Sequence, residues 1–213
     1  MSTPAYSRDN PSPRYREMLA LYQRMHVEGE PALSLPPEQT FAGGSLGHHA
    51  QLIGMLVQRF KASDLLDYGC GKASLHRDAV FKTQDGRTLR GLQTIWGLNA
   101  VRLYDPGYQP YSAYPEGRWD GVISTDVLEH IPEEDVPWLL GEIFRLAGKF
   151  IFVSIACYAA KQTLPNGENA HITQRSPAWW TERLEEVRAA YPAIRYFAAI
   201  VRSDHQSVVL IEG

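Results

Sequence analysis

Two hundred and thirteen residues, 44% hydrophobic and 21% charged, make enough chain for one large domain with a full core, and so ordinary a composition excludes wholesale disorder and collagen-like or low-complexity repeats. The 21 basic and 24 acidic side chains leave a formal charge of −3 with no Lys/Arg block, which excludes a dominant electrostatic grip on nucleic acid or anionic lipid. No apolar run approaches the roughly 20 residues that cross a bilayer, and the polar, proline-rich residues 1–13 lack the apolar core of a signal peptide, so a cytoplasmic protein with reduced Cys70 and Cys157 is expected.

In chain order, a lead-in with Pro4, Pro11 and Pro13 comes first. Tyr15, Met18, Leu19, Tyr22 and Met25 then recur at three- and four-residue steps, which predicts a helix with one apolar face, stopped by Gly29 and Pro31. Residues 33–47 read as a loop, with Pro36, Pro37, Gly43 and Gly44, before a second amphipathic helix on Leu52, Ile53, Leu56, Val57 and Phe60. Residues 1–47 are thus an N-terminal extension whose helix is expected as a lid or a homodimer element, and residues 48–213 are the main domain.

From there strands and helices alternate. Leu65, Leu66 and Tyr68 mark a short strand, a glycine turn leads to a helical start at Lys72, and the polar residues 81–90 turn at Asp85-Gly86. Residues 101–104 and 121–124 are further strands. A helix follows on Val136, Leu139, Leu140, Ile143, Phe144 and Ala147, then a buried strand over 150–155, a long polar loop, and a helix over 178–191. Two last strands, 194–201 and 207–211, flank Ser203-Asp204 as a hairpin. This order predicts an α/β fold: a mostly parallel sheet with helices on both faces and one antiparallel edge strand.

Ligands of such sheets sit at the carboxyl ends of the strands, where the strand order reverses. The first end reads Asp67-Tyr68-Gly69-Cys70-Gly71-Lys72, and two glycines one residue apart let the backbone turn tightly and approach a ligand. A dinucleotide site would want a third glycine where Ser74 stands, and a carboxylate at Asp67 suits a pyrophosphate poorly. The P-loop pattern is absent. A ligand without phosphate and with positive charge fits better; the plain alternative is a strand-to-helix turn with an N-capping Asp. Asp105 ends the next strand, where a carboxylate can accept both hydrogen bonds of a ribose diol. Its gap from Gly71 exceeds the usual one, with residues 81–96 as the insertion.

Asp67-Tyr-Gly-Cys-Gly, Asp105 and Asp126-Val-Leu-Glu-His-Ile-Pro resemble the glycine motif, ribose acid and post-fourth-strand motif of class I S-adenosylmethionine-dependent methyltransferases. The resemblance runs from about Leu52 to the end of the chain and implies a Rossmann-like, seven-stranded, mostly parallel sheet with helices on both faces and one antiparallel edge strand. More narrowly, residues 40–48, 65–72, 103–107, 155–158 and 164–171 with Trp179-Trp180 are similar to a group of bacterial and phage methyltransferase-like proteins of unassigned substrate. It implies that Asp67, Gly69 and Gly71 cradle the methionine end, that Asp105 holds the ribose, and that residues 124–126 border the cofactor. Cys70, Pro106, Thr125, Asp126 and Val127 complete the implied cofactor contacts. Ala73 departs from the family, which usually has glycine there. Asp105-Pro106-Gly107-Tyr108 looks like the signature of enzymes that methylate amino groups of DNA bases, but it follows the wrong strand, and the charge balance agrees in excluding nucleic acid.

The acceptor pocket is expected over the same strand ends, lined by the loop after the buried strand: Cys157, Tyr158, Lys161, Asn166, Glu168, Asn169 and His171, with Trp179 behind it. His171 is the candidate base, Tyr158, Asn169 and Trp179 the candidate acceptor contacts, and His130 is read as a packing residue. His48-His49 lack metal-site spacing, so no metal is expected. The function that follows is methyl transfer from S-adenosylmethionine to a small-molecule or glycan-type acceptor by in-line displacement. A non-catalytic S-adenosylmethionine-binding interaction protein and an NAD-dependent oxidoreductase are the alternatives.

Overall fold

The computed structural model describes residues 6–202 and 208–213. Pro4 of the lead-in, the Ser203-Asp204 turn and Ser207 lie outside them. The N-terminal helix α1 (Pro13–Glu28) starts with Pro13 at its first turn and Ser12 as its cap, and stops at Gly29 (φ +84°). Helix α2 (Leu46–Arg59) begins earlier than its apolar periodicity alone implied. Then come β1 (Asp64–Tyr68), a short α3 (Ser74–Asp78), a hairpin of β2 (Val80–Lys82) and β3 (Thr88–Arg90), and α4 (Leu92–Trp96). The rest is β4 (Ala100–Tyr104), β5 (Trp119–Thr125), α5 (Val136–Leu146), β6 (Ala147–Ala156), α6 (Pro177–Arg188), β7 (Arg195–Val201) and β8 (Val208–Glu212).

The main sheet has six strands in the order β4-β1-β5-β6-β7-β8, parallel except for β8, which pairs antiparallel with β7 at one edge. The expected seven strands are therefore six among the described residues. Residues 105–118 cross from β4 over β1 to β5 with only a 3₁₀ turn at Gln109–Tyr111, too short a path for another crossover helix and strand. The insertion became the separate β2–β3 hairpin instead. The helical start expected at Lys72 falls at Ser74, because Ala73 takes a left-handed φ of +52°.

Alternation along the strands splits the core in two. Leu66, Ile151, Val153 and Ile155 face α5 and α6, packing with Leu140, Phe144, Trp180 and Leu184. Leu65, Phe150 and Phe152 face α2 and α4, packing with Ile53, Val57 and Trp96. Each face is a strip of apolar surface that a helix removes from water, about 25 cal/mol per Å². A third, small cluster joins Met18 and Met25 of α1 to Leu164 and Ala170 of the β6–α6 loop, above the strand ends. Among the described residues, no helix is long and apolar enough to cross a membrane.

Candidate functional site

Chain order departs from β1 to β4 on one side and continues from β5 to β7 on the other, so the sheet reverses beside β1. A cavity of about 470 Å³ opens there, inside the range of small-ligand sites. Its floor is Gly69 and Gly71 after β1, Asp105, Pro106 and Gly107 after β4, and Thr125, Asp126 and Val127 after β5. Its roof is Tyr15, Met18, Leu19, Tyr22 and His26 of α1, and its sides are Leu35, Gln39, residues 41–45, His130, Ile131, Gln162 and His171.

Backbone bonding makes the glycine turn. The N–H groups of Gly69 and Cys70 both donate to Tyr104 O (2.7 and 3.1 Å), that of Gly71 to Asp105 Oδ2 (2.8 Å), and that of Lys72 to Phe41 O (2.8 Å). Those of Ala73 and Ser74 donate to Cys70 O and Ala42 O. A side chain at Gly69 would run into Val127, and one at Gly71 into the Phe41 carbonyl, so both positions need glycine for close approach as well as for positive φ. Every N–H from Gly69 to Ser74 is thus committed inside the protein, and α3 is a single short turn.

Asp105 is fixed from two sides: Oδ2 accepts from Gly71 N–H and Oδ1 from Gly107 N–H, each at 2.8 Å. Burial pushes its carboxyl above the ordinary value, against those bonds. Asp126 takes a left-handed φ of +54°, which costs a non-glycine residue about 1–3 kcal/mol. Ser154 holds it there, accepting from the Asp126 N–H (3.1 Å) and donating to Oδ1 (2.8 Å), while Oδ2 has no partner among the described residues. Neither Lys nor Arg lines the cavity among the described residues. The backbone around Gly43, Gly44 and Ser45, at the start of α2, also faces it, and Ser45 makes no side-chain cap bond there.

The expected site residues divide. Gly69, Gly71, Asp105, Pro106, Thr125, Asp126, Val127 and His171 come together around the cavity. Asp67 is buried behind the glycine turn instead of lining it: Oδ2 accepts from His76 Nε2 at 2.8 Å, and Oδ1 is buried without a partner among the described residues. Cys70 is also buried, its thiol pushed up by burial and then by Asp67 and Asp105. Tyr158 approaches through His171, whose Nδ1 lies 2.6 Å from the Tyr158 carbonyl. Asn169 pins the loop, exchanging bonds with the Ala160 backbone and accepting from His171 N–H. Trp179 is away from the cavity, edge-on to Trp180 over the α5–α6 core. Cys157 borders a different hollow beside Arg175.

Sequence reasoning passed over Phe41, Gln39 and Gln162, and read His130 as packing. Gly43-Gly44 was the available signal for the first of these: a flexible turn ahead of a helix lets the backbone of Phe41 and Ala42 close on the glycine loop. The roof is tied down by side chains from several segments. Buried Asp135 accepts from Ser12 N–H (3.0 Å), Ser12 Oγ–H and the Trp138 indole N–H (2.6 Å). Lys72 Nζ donates to His26 Nδ1 (3.0 Å) and Thr40 O (2.9 Å), and Tyr22 Oη sits 3.0 Å from Ala170 O. Arg14 pairs with Glu168 across the same seam. No protein-family model and no curated protein matches this chain.

Proposed function

We propose that this Rossmann-like chain is an S-adenosylmethionine-dependent methyltransferase acting on a small-molecule or glycan-type acceptor at oxygen or nitrogen. The observation that carries the reading is the polarity of the cavity. Two carboxylates line it, no cationic side chain does among the described residues, and the N–H groups of the glycine turn, which would cradle phosphate, are already spent within the protein. A dinucleotide finds no counter-charge there and no free N–H on the glycine turn that would cradle its pyrophosphate, which disfavours an NAD-dependent oxidoreductase. A sulfonium nucleoside with an ammonium and a ribose fits.

Asp105 would accept from the ribose hydroxyls with the lone pairs that Gly71 and Gly107 leave open, and the free Oδ2 of Asp126 would face positive charge. The N–H groups around Gly43, Gly44 and Ser45 at the head of α2 would take the methionine carboxylate. The bound sulfonium supplies an already activated methyl leaving from sulfur, so the protein's work is alignment and exclusion of water. The roof of α1 does the second.

Calorimetry with S-adenosylhomocysteine against NAD tests this. The expected result is binding of the first alone, weakened about 100-fold in Asp105→Ala, as the loss of two hydrogen bonds to a charged group implies. Binding of NAD alone, or S-adenosylhomocysteine binding unchanged in Asp105→Ala, overturns it.

A further inference from the structure

Two histidines with defined tautomers face the cavity wall opposite the glycine turn. His130 Nδ1 lies 2.9 Å from Ala170 O and 2.7 Å from Tyr22 Oη, and Tyr22 Oη is itself 3.0 Å from Ala170 O. A carbonyl only accepts, so His130 Nδ1 carries the hydrogen and the Tyr22 hydroxyl donates to the carbonyl as well. His171 Nδ1, 2.6 Å from the Tyr158 carbonyl, carries its hydrogen for the same reason. Each neutral ring is left with a lone pair on Nε2, and neither Nε2 has a partner among the described residues. The rings stand 4.8 Å apart, nearly perpendicular, and both line the cavity.

This wall therefore accepts hydrogen bonds and offers no cation. A phosphorylated or carboxylated acceptor would meet lone pairs and the two carboxylates; a molecule bearing hydroxyl groups would be bound by donating. We propose that the acceptor is an uncharged hydroxyl compound, that His171 Nε2 is the base for the oxygen being methylated, and that His130 Nε2 orients it by accepting from a second hydroxyl. This rests on the methyl-donor reading above. In the step, the acceptor oxygen bonds to the methyl carbon and its proton passes to His171 Nε2. The carbon–sulfur electron pair stays on sulfur, so the sulfonium charge reappears as an imidazolium that loses its proton to water. His171 is the better base of the two. Burial lowers both imidazoles, and a backbone carbonyl and Asp126 support the protonated form of each, but His171 lowers His130 further, to about 4, and nothing comparable lowers His171. The ionisable groups facing the pair are Tyr22 from α1, Asp126 after β5 and Tyr158 from the β6–α6 loop.

Three readouts separate the layers. Calorimetry with S-adenosylhomocysteine on the wild type, His130→Gln and His171→Gln tests the donor reading; affinities within about threefold of one another are expected, and no binding by the wild type ends that reading and the base with it. Nitrogen-15 NMR of the imidazoles at pH 7, which needs no acceptor, should show both rings protonated on Nδ1 and bare on Nε2; the other tautomer at His171 overturns the proposal even if the donor binds. Transfer of labelled methyl from S-adenosylmethionine is then followed into a mixture of uncharged sugars and polyols and into the corresponding phosphate esters. Label is expected in the uncharged set, with the acid limb of the pH profile abolished and kcat lowered 10²–10⁴-fold in His171→Gln. In His130→Gln, KM should rise while the limb stays. Label confined to the esters, no label in the uncharged set, or an acid limb surviving in His171→Gln overturns the proposal.

Discussion

Floor and roof of the cavity are built by different means. The floor is backbone: six consecutive N–H groups from Gly69 to Ser74 end on acceptors within the protein, and positive φ at Gly69, Gly71, Ala73 and Asp126 turns the chain after β1 and β5 toward one point. The roof is side chain: α1 is held by Asp135, Lys72 and Ala170, contributed by segments far from it in sequence, around a four-residue apolar patch. A floor of this kind holds one shape. The roof is the part that can let a ligand in, since its attachment is a few polar contacts over little buried apolar surface.

The comparison breaks first at Gly69. Gly69→Ala combines a φ of +84° with a clash against Val127, and a loss of about 3–4 kcal/mol in denaturant unfolding is expected. Adding Val127→Ala should return only the part due to the clash, leaving about 1–2 kcal/mol of backbone strain. A double variant as stable as the wild type would mean that packing, not backbone, shapes the floor. Asp135→Ala comes next: it strands Ser12 N–H, Ser12 Oγ–H and the Trp138 indole, for about 3 kcal/mol. Hydrogen exchange should quicken in α1 and leave β1 and β5 protected. Equal acceleration in all three would make roof and floor one cooperative unit.

Acid should separate them with a smaller effect. His26 and His130, both in roof contacts, are pushed down to about 4, by burial first and then by Lys72 and His171 respectively. The unfolded chain takes up these protons first, so roof stability falls as the pH drops from about 6.5 toward 4 and levels off below that. The buried carboxyls of Asp105 and Glu129 are raised, so for them the folded state binds protons more readily and acid favours folding. Protection of α1 amides should therefore decline between pH 6.5 and 4 while β1 and β5 hold; parallel loss in both would refute the division.

How much of this the sequence disclosed follows the same line. Apolar runs such as 150–155 and the helical spacing of 136–147 announced the strands and helices, because both faces of the sheet are covered and burial leaves a periodic mark. Three floor carboxylates were visible as strand-end residues, yet which of them lines the cavity was not: Asp67 turns to His76, nine residues on, and that depends on the course of α3. The strand count was misjudged because the seventh strand was carried over from the family resemblance, while the runs legible in the chain number six and residues 105–118 hold only a 3₁₀ turn where another helix and strand would have to fit. The roof left the weakest mark. The helix itself was legible from its apolar face and expected as a lid or homodimer element, but its contacts join residues such as Tyr22 and Ala170 that no local pattern relates, so what it packs on was not.

Tyr22→Phe probes that seam with the smallest change. The hydroxyl lies between Ala170 O and His130 Nδ1, while the ring packs against Phe41 and His130, so removing the oxygen leaves the apolar contacts in place. His130 Nδ1–H keeps its bond to Ala170 O, no buried donor is orphaned, and the expected cost is one net hydrogen bond, about 1 kcal/mol. If the roof opens apart from the floor, that amount should appear as roughly fivefold faster exchange of α1 amides with no change in β5, since 1.4 kcal/mol corresponds to tenfold. A loss spread evenly over both would mean that α1 closes with the sheet in a single step, and that ligand entry needs another opening, around the Gly43-Gly44 turn, which α2 leaves against the cavity wall.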